Sequence, residues 1–362
     1  MSEFAARRAA AMAGLERIDA KDRPAGLIVT HLPNVRYLTG FTGSNAILVL
    51  TPGQALLATD PRYDLQAREE TDCEVAVYKR YPMLGQLLPK LKRAGLKRWG
   101  IEAGHLTVDL LGVLEKGLPK TRFVSSASVV EGLRMVKSAD EIERIRRAVR
   151  INSEAFEKAV EHLRPGISEN FFAAELEFQM RALGAERASF ETIVVSGPRS
   201  AFVHARPSGD PVLANELLLI DMGAHCEGYA SDMTRMVFPG VPGKEVKRRY
   251  NAVLEAQLAA IDAVRPGVSS VQVDRAARYV LKKREMDTLF VHSTGHGLGL
   301  EIHEPPRVAR RHGSKLRAGM VITIEPGVYI EGFGGIRIED TVLVTGTGCE
   351  VLTPTSKELL AI

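Results

Sequence analysis

The sequence predicts an α/β chain in two parts: a small α/β domain over residues 1–130, then a larger α+β unit over residues 131–362 in which one motif is used twice. Three features carry this reading. Strand-length apolar runs alternate with helical patterns through the first part. RPGIS at Arg164–Ser168 returns as RPGVS at Arg265–Ser269, an offset of 101 residues. LLLIDMGAHCEGY at Leu217–Tyr229 aligns with VITIEPGVYIEGF at Val321–Phe333, an offset of 104. A chain of 362 residues allows two domains of the usual size and a large core. No metal or disulfide is needed to hold such a fold, so a metal site would serve chemistry.

In chain order, residues 1–16 carry Glu3, Arg7 and Arg8 among alanines, an amphipathic helix rather than a secretion signal. Leu27–Thr30, Ala46–Leu50, Gln54–Ala58 and Glu74–Tyr78 read as strands, with Thr51-Pro52-Gly53 a turn. Ala67–Thr71 and Leu84–Ala94 read as helices. The boundary falls near Glu131. Ser138 followed by Glu141 is a capping box that opens a long helix to about Leu163. Each RPG-x-S segment stops one helix at Pro-Gly and caps the next with Ser. Each half is then helices followed by a β-hairpin, and a pseudo-two-fold would set the two hairpins side by side. A period of ~100 residues is too long for a solenoid. The longest apolar stretches are strand length, which excludes a membrane-spanning helix.

Composition narrows the function. The chain is 45% hydrophobic and 25% charged, with 48 Lys+Arg against 44 Asp+Glu, an ordinary globular balance. Its basic clusters (Arg144, Arg146, Arg147, Arg150; Lys244, Lys247, Arg248, Arg249; Arg307, Arg310, Arg311) alternate with acids or apolar residues. They read as solvated helix faces and loops, so no nucleic-acid partner is expected. Cys73, Cys226 and Cys349 are far apart and form no CxxC pair. That argues against a disulfide framework and a thiolate zinc site and suits a reducing cytoplasm.

The duplicated hairpins carry paired acids. Asp221 ends the strand Leu217–Asp221 and Asp232 lies on the returning strand Tyr229–Phe238; Glu325 ends Val321–Glu325 and Glu339 lies on Ile336–Val344. Alternation puts Leu217, Leu219 and Asp221 on one face, and Thr323 and Glu325 on one face. A carboxylate among core leucines is costly, and four converging carboxylates repel unless cations lie between them. HSTGHGLGLEIHEPP adds His292, His296 and His303 just before the second hairpin. Acids and histidines without cysteine suit manganese, cobalt or zinc. Two ions sharing bridging carboxylates sit about 3.5–4 Å apart and activate a water. Any one of these acids alone is more often a turn or surface residue; their equivalence across the repeat points to a metal site. The histidine spacing is not HExxH, and Gly295, Gly297 and Gly299 do not complete GxGxxG.

With these residues in view, Glu131–Ile362 resembles the pita-bread metallopeptidases of family M24, which include methionine aminopeptidases, Xaa-Pro aminopeptidases and Xaa-Pro dipeptidases. The family's five ligand positions fall on Asp221, Asp232, His296, Glu325 and Glu339. NVRYLTGFTGS at Asn34–Ser44 and TDPRY at Thr59–Tyr63 resemble the creatinase/prolidase N-terminal domain, which typical methionine aminopeptidases lack. SGPRSAFVHARPS at Ser196–Ser208 resembles the segment that supplies the first active-site histidine of the Xaa-Pro branch, here His204. His292 and His303 match the other two. Arg337 stands where the family has an arginine, and Arg307 where some prolidases carry one proposed to bind the substrate carboxylate. Read without the resemblance, Arg337 is an ion-pair partner of a nearby acid and Arg307 an exposed loop arginine.

The resemblance implies a cytoplasmic, metal-dependent exopeptidase that takes peptides with proline in second position. The expected activity is that of an Xaa-Pro aminopeptidase, with an Xaa-Pro dipeptidase acting on dipeptides only as the alternative. It implies two divalent ions per chain, manganese first and cobalt or zinc behind it, with Asp221 and Glu339 bridging. Asp232 completes one ion; His296 and Glu325 complete the other. Glu325 also moves the water proton to the leaving nitrogen, His303 polarises the carbonyl, and His204 and His292 line the proline side. It further implies a homodimer. A metal-free amidinohydrolase like creatinase and a non-catalytic binding module share the fold but lack this ligand set.

Overall fold

A computed structural model describes residues 2–126 and 128–362. The chain divides into two compact units, the first ending at Arg134 and the second beginning at Met135.

The first unit runs α1 (Glu3–Gly14), β1 (Gly26–Val29), α2 (Leu32–Thr39), β2 (Ala46–Thr51), β3 (Gln54–Thr59), α3 (Asp64–Glu70), β4 (Glu74–Val77), α4 (Met83–Ala94), β5 (Arg98–Ile101), α5 (Val108–Gly117), β6 (Arg122–Ser125) and α6 (Val129–Arg134). Its six strands form one sheet in the order β4-β3-β2-β1-β5-β6. The β1–β2–β3 meander is antiparallel and the flanking pairs are parallel. Trp99, Leu87 and Leu114, fully buried, centre one core on a face of that sheet. The two signature segments meet where the Ser44 and Tyr63 hydroxyls lie 2.6 Å apart, and the next residue, Asn45, donates to Asp60 at 2.6 Å. Asp60 in turn caps the short turn that begins at Pro61, accepting from the Arg62 N–H at 3.0 Å.

The second unit runs α7 (Ala139–Val160), α8 (Glu169–Ala182), β7 (Arg187–Ala188), β8 (Ile193–Ser196), β9 (Leu218–Met222), β10 (Ala224–Cys226), β11 (Tyr229–Ala230), β12 (Met233–Phe238), α9 (Lys244–Asp262), α10 (Ser270–Lys283), β13 (Gly295–Gly297), β14 (Glu304–Val308), β15 (Val321–Ile324), β16 (Gly327–Ile330), β17 (Gly334–Arg337), β18 (Asp340–Val344), β19 (Cys349–Val351) and β20 (Leu360–Ala361). The Ser138–Glu141 capping box forms in both directions. Ser168 and Ser269 cap α8 and α10. Both halves therefore have two helices followed by a long hairpin, the duplicated α/β architecture expected.

The hairpins differ from expectation in one respect that matters for the site. The sequence pattern predicts that each returns as a single strand, Tyr229–Phe238 and Ile336–Val344. The structure interrupts both, at Asp232 between β11 and β12 and at Glu339 between β17 and β18. The reason is that each hairpin serves two sheets. β9 and β12 belong to a four-stranded sheet and β10 and β11 to a three-stranded one; β15 and β18 belong to a five-stranded sheet and β16 and β17 to a two-stranded one. The chain leaves one sheet for the next at the acid, which turns each carboxylate out of the regular ladder.

Alternation along β9 splits its side chains between two cores. Leu218, Ile220 and Met222 pack with α7 and α8, whereas Leu217 and Leu219 pack in a second core, with residues of α9 and α10. Asp221 follows Leu219 on that second face. On the other hairpin Ile322, Ile324, Ile336 and Ile338 go to the same second core, so Thr323, Arg337 and Glu339 face the opposite way.

Candidate metal centre

A cavity of about 1030 Å³ opens in the second unit, and Asp221, Asp232, His296, Glu325 and Glu339 all line it, as do His204, His292, His303, Arg307 and Arg337. All ten residues singled out in the sequence thus converge on one cavity. Asp232, His296 and Glu339 each offer a ligand atom within 4.8 Å of the others. His296 Nε2 lies 3.6 Å from Asp232 Oδ2 and 3.6 Å from Glu325 Oε1. Asp221 is tied differently: its Oδ2 accepts from Arg337 Nη2 at 2.6 Å, while its Oδ1 is buried with no hydrogen-bond partner.

The local backbone explains the glycines around His296. A Cβ on Gly295 would collide with the Thr323 carbonyl oxygen, and one on Gly297 with the Pro305 carbonyl. These glycines let strands close on the histidine from both sides.

The donor set fits divalent cations. His296 Nδ1 lies 3.1 Å from the Gly297 carbonyl, which can only accept, so Nδ1 carries the proton. The Nε2 lone pair then faces two carboxylates, which is repulsive unless a cation lies between them. The unpartnered Asp221 oxygen makes the same demand. Burial and the neighbouring carboxylates of Glu339 and Asp221 push Asp232 well above the usual carboxylate range. Burial, Glu325 and Asp221 do the same to Glu339. Burial raises Glu325 to about 8, with Arg337 opposing and Asp221 adding to the rise. Burial pulls His296 down to about 4, with His303 next in effect. His292 also falls to about 4, through burial and then Arg337. A metal ion binds ionised carboxylates and neutral imidazole, so a cation among these groups would favour the charged form that their mutual repulsion and burial oppose.

Two partners that single-residue reasoning overlooked complete the arrangement. Thr234 Oγ1 donates to Glu339 Oε2 at 2.7 Å and accepts from Arg337 Nε at 3.1 Å. The partly buried Tyr329 hydroxyl accepts from Arg337 Nη1 at 2.6 Å and lies 2.9 Å from His292 Nε2. His292 Nδ1 donates to the Ser293 carbonyl at 2.8 Å, so Nε2 is the acceptor and Tyr329 passes the contact on from Arg337. The sequence carries a signal for Thr234: the acid on each returning strand is followed two residues on by threonine, Asp232 by Thr234 and Glu339 by Thr341. Thr341 Oγ1 donates to the Asp232 carbonyl at 3.0 Å, and the Glu339 N–H donates to the Thr234 carbonyl at 3.2 Å. The two halves hold each other's acids.

Arg337 is the ion-pair partner its charge suggested, and Asp221 is the acid it holds. Arg307 is exposed on β14 rather than on a loop, and it faces the cavity. His303 is exposed on the cavity wall, with its ring centroid 4.3 Å from that of His296. His204 is exposed on the cavity wall.

A hydrolytic metal centre built on a duplicated hairpin defines the class, and the comparisons agree. Residues 143–346 match metallopeptidase family M24 and residues 15–136 match the creatinase/prolidase N-terminal domain. The chain is 36% identical to the Xaa-Pro dipeptidase of Pyrococcus furiosus over 329 residues, 90% of this chain and 92% of that one. The Xaa-Pro dipeptidase from Bacillus anthracis matches with a TM-score of 0.95 at 34% identity, covering 99% of this chain and 100% of that one. An X-Pro aminopeptidase from Thermotoga maritima matches with a TM-score of 0.88 at 36% identity, covering 96% and 99%. The chain belongs to metallopeptidase family M24 and carries the family's creatinase/prolidase N-terminal domain. Among the described residues, no helix is long and apolar enough to cross a membrane.

Proposed function

We propose that this metallopeptidase is an Xaa-Pro dipeptidase, a prolidase. The first expectation, an Xaa-Pro aminopeptidase, gives way to its alternative because the relatives named as dipeptidases match nearly the whole chain, two Pyrococcus enzymes at 36% identity among them. Arg307 on the cavity wall supplies a cation for the carboxylate of a C-terminal proline.

Asp221, Asp232, His296, Glu325 and Glu339 would hold two divalent ions, manganese first. When bound, such ions supply Lewis-acid polarisation and a nucleophile at neutral pH. The chain's own groups do the rest. Glu325 holds the proton of the attacking water and delivers it to the proline nitrogen, a poor leaving group until protonated. His303 donates to the carbonyl oxygen as charge develops there. His204 and His292 line the proline side, and the Arg337–Tyr329 contact keeps His292 in one tautomer. Arg337 holds Asp221 in place.

The deciding experiment compares hydrolysis of Xaa-Pro and Xaa-Pro-Yaa peptides with manganese or cobalt added. Cleavage of the dipeptide alone supports the prolidase. Cleavage of the tripeptide returns the aminopeptidase, and cleavage of neither removes proline specificity. A homodimer completes the proposal; light scattering should give the mass of two chains, and a monomer would remove it.

A further inference from the structure

The repeated RPG-x-S segments do more than cap helices: each pins a loop that reaches the cavity. In the first copy the Gly166 N–H donates to the Val212 carbonyl at 2.9 Å and the Val212 N–H to the Ile167 carbonyl at 2.8 Å. In the second copy Gly267 donates to Leu316 at 2.8 Å and Leu316 to Val268 at 2.8 Å. The next residue forms the same bond in both: Glu169 N–H to the Asp210 carbonyl at 3.0 Å, Ser270 N–H to the Ser314 carbonyl at 2.9 Å.

The side chains at that position differ. Ser270 only accepts one N–H, from Ser314 at 3.2 Å. Glu169 is 1% exposed, and its two oxygens reach both ends of the segment that carries His204. One accepts from the Ser196 N–H at 2.8 Å. The other accepts from the Ser208 N–H at 3.0 Å, the Ser208 hydroxyl at 2.9 Å, and Arg199 Nη1. The first half of the segment has other anchors: the Ser200 hydroxyl accepts from the Gly335 N–H at 2.8 Å, and the Val203 carbonyl from Arg337 at 3.4 Å. The half from His204 to Ser208 returns to the fold through Glu169, with the Asn170 N–H donating to the Ser208 carbonyl at 3.0 Å and an exposed Arg206–Glu191 ion pair at 3.1 Å beside it. Every group facing the carboxylate is a donor, so a glutamine amide there must set its own N–H₂ against a donor on one side.

We propose that Glu169 is a positioning residue for His204: one buried carboxylate closes the 196–208 segment at both ends and so sets where His204 stands on the cavity wall. The proposal rests on the reading of His204 as a substrate-facing residue. It goes beyond that reading in assigning the geometry of the loop to a residue that lies outside the cavity lining.

The test uses the metal-loaded, full-length enzyme in a double-mutant cycle of Glu169→Ala and His204→Ala on an Xaa-Pro dipeptide. Amide hydrogen exchange of segment 196–208 is followed alongside. A displaced loop of this kind costs about 10²-fold in kcat/KM. Glu169→Ala should lose about that much, raise exchange within 196–208, and cost no more than about twofold when added to His204→Ala. If Glu169→Ala does not fold, Glu169→Gln and Ser208→Ala carry the same cycle, each with a loss of about tenfold. Independent, multiplying losses would overturn the proposal, as would wild-type activity in the Glu169 variants or unchanged exchange in the segment. A silent His204→Ala would remove the role of His204 and the proposal with it. A harmful His204→Ala beside a silent Glu169→Ala would remove the positioning role alone.

Discussion

Thr234→Val is the sharpest single perturbation of the candidate centre. It exchanges a hydroxyl for a methyl at nearly constant volume, at a fully buried position, so packing changes little. What it removes is the 2.7 Å hydrogen bond to Glu339 Oε2 and the acceptor 3.1 Å from Arg337 Nε. A hydrogen bond to a charged group is worth about 1.5–3 kcal/mol. The part of that energy which appears in metal affinity is the part spent holding Glu339 in its ligating orientation. Spent wholly there, it corresponds to a loss of about 10- to 150-fold in affinity. Loss of an outer partner of a metal ligand typically costs about 10–100-fold, which is the same range. Thr341→Val is the internal control. Its hydroxyl is equally buried, yet it donates to the Asp232 main-chain carbonyl rather than to a ligand oxygen. Manganese titration calorimetry should show the Kd of Thr234→Val raised by about 10–100-fold and that of Thr341→Val by clearly less. Turnover at saturating metal should stay within a few-fold of wild type. Equal Kd values for Thr234→Val and wild type, with only the melting temperature lowered, would refute the reasoning, because the hydroxyl would then serve the fold and not the ligand.

Three further outcomes follow from the same geometry. Glu325→Ala should abolish hydrolysis, and near wild-type turnover in that variant would show the assignment to be wrong. His303→Ala should lower kcat by ~10²–10³ if it stabilises the developing oxyanion, whereas a change in KM alone would mark uniform binding. In the first unit, burial raises Glu102 above the usual carboxylate range, against the opposing hydrogen bonds from Asn34, His31 and Thr30. The folded state therefore holds more protons than the unfolded one above pH 4.5, so this group's contribution to stability falls as pH rises from there through the raised folded value. Urea midpoints of wild type and Glu102→Gln should show that decline in the wild type and a flatter dependence in the variant; parallel curves would exclude Glu102 as its source.

The parts legible in the sequence are those that obey a period or repeat. The duplicated hairpins, the capping box at Ser138 and the five acid and histidine positions each stand out against an apolar or helical background. Less visible were β5 and β6, four residues each, and the short helix α2, which has Pro33 in its first turn. Such segments offer too little alternation to separate strand from loop. The breaks at Asp232 and Glu339 were invisible for another reason. A strand that crosses between two sheets keeps its apolar pattern on both sides, and only the tertiary arrangement says where it bends. Tyr329 was hidden because an aromatic in a strand reads as core; its hydroxyl acquires a role only once Arg337 and His292 are brought to it.

The duplication also explains why the site can be asymmetric. Two copies of one unit supply equivalent scaffolds: matching helix pairs, latches and hairpins with an acid at each strand break. The exchange of bonds between Thr234 and Glu339, and between Thr341 and Asp232, ties the two copies at their pseudo-axis. Once that frame is fixed, other positions are free to diverge. Aspartates occupy the first hairpin and glutamates the second, so ligand reach differs by one methylene between the halves. The latch residue differs in the same way, a doubly clamping Glu169 in one copy and a single hydroxyl at Ser270 in the other. The loop held by Glu169 carries His204, and the loop held by Ser270, which follows β14, carries His312 at the cavity.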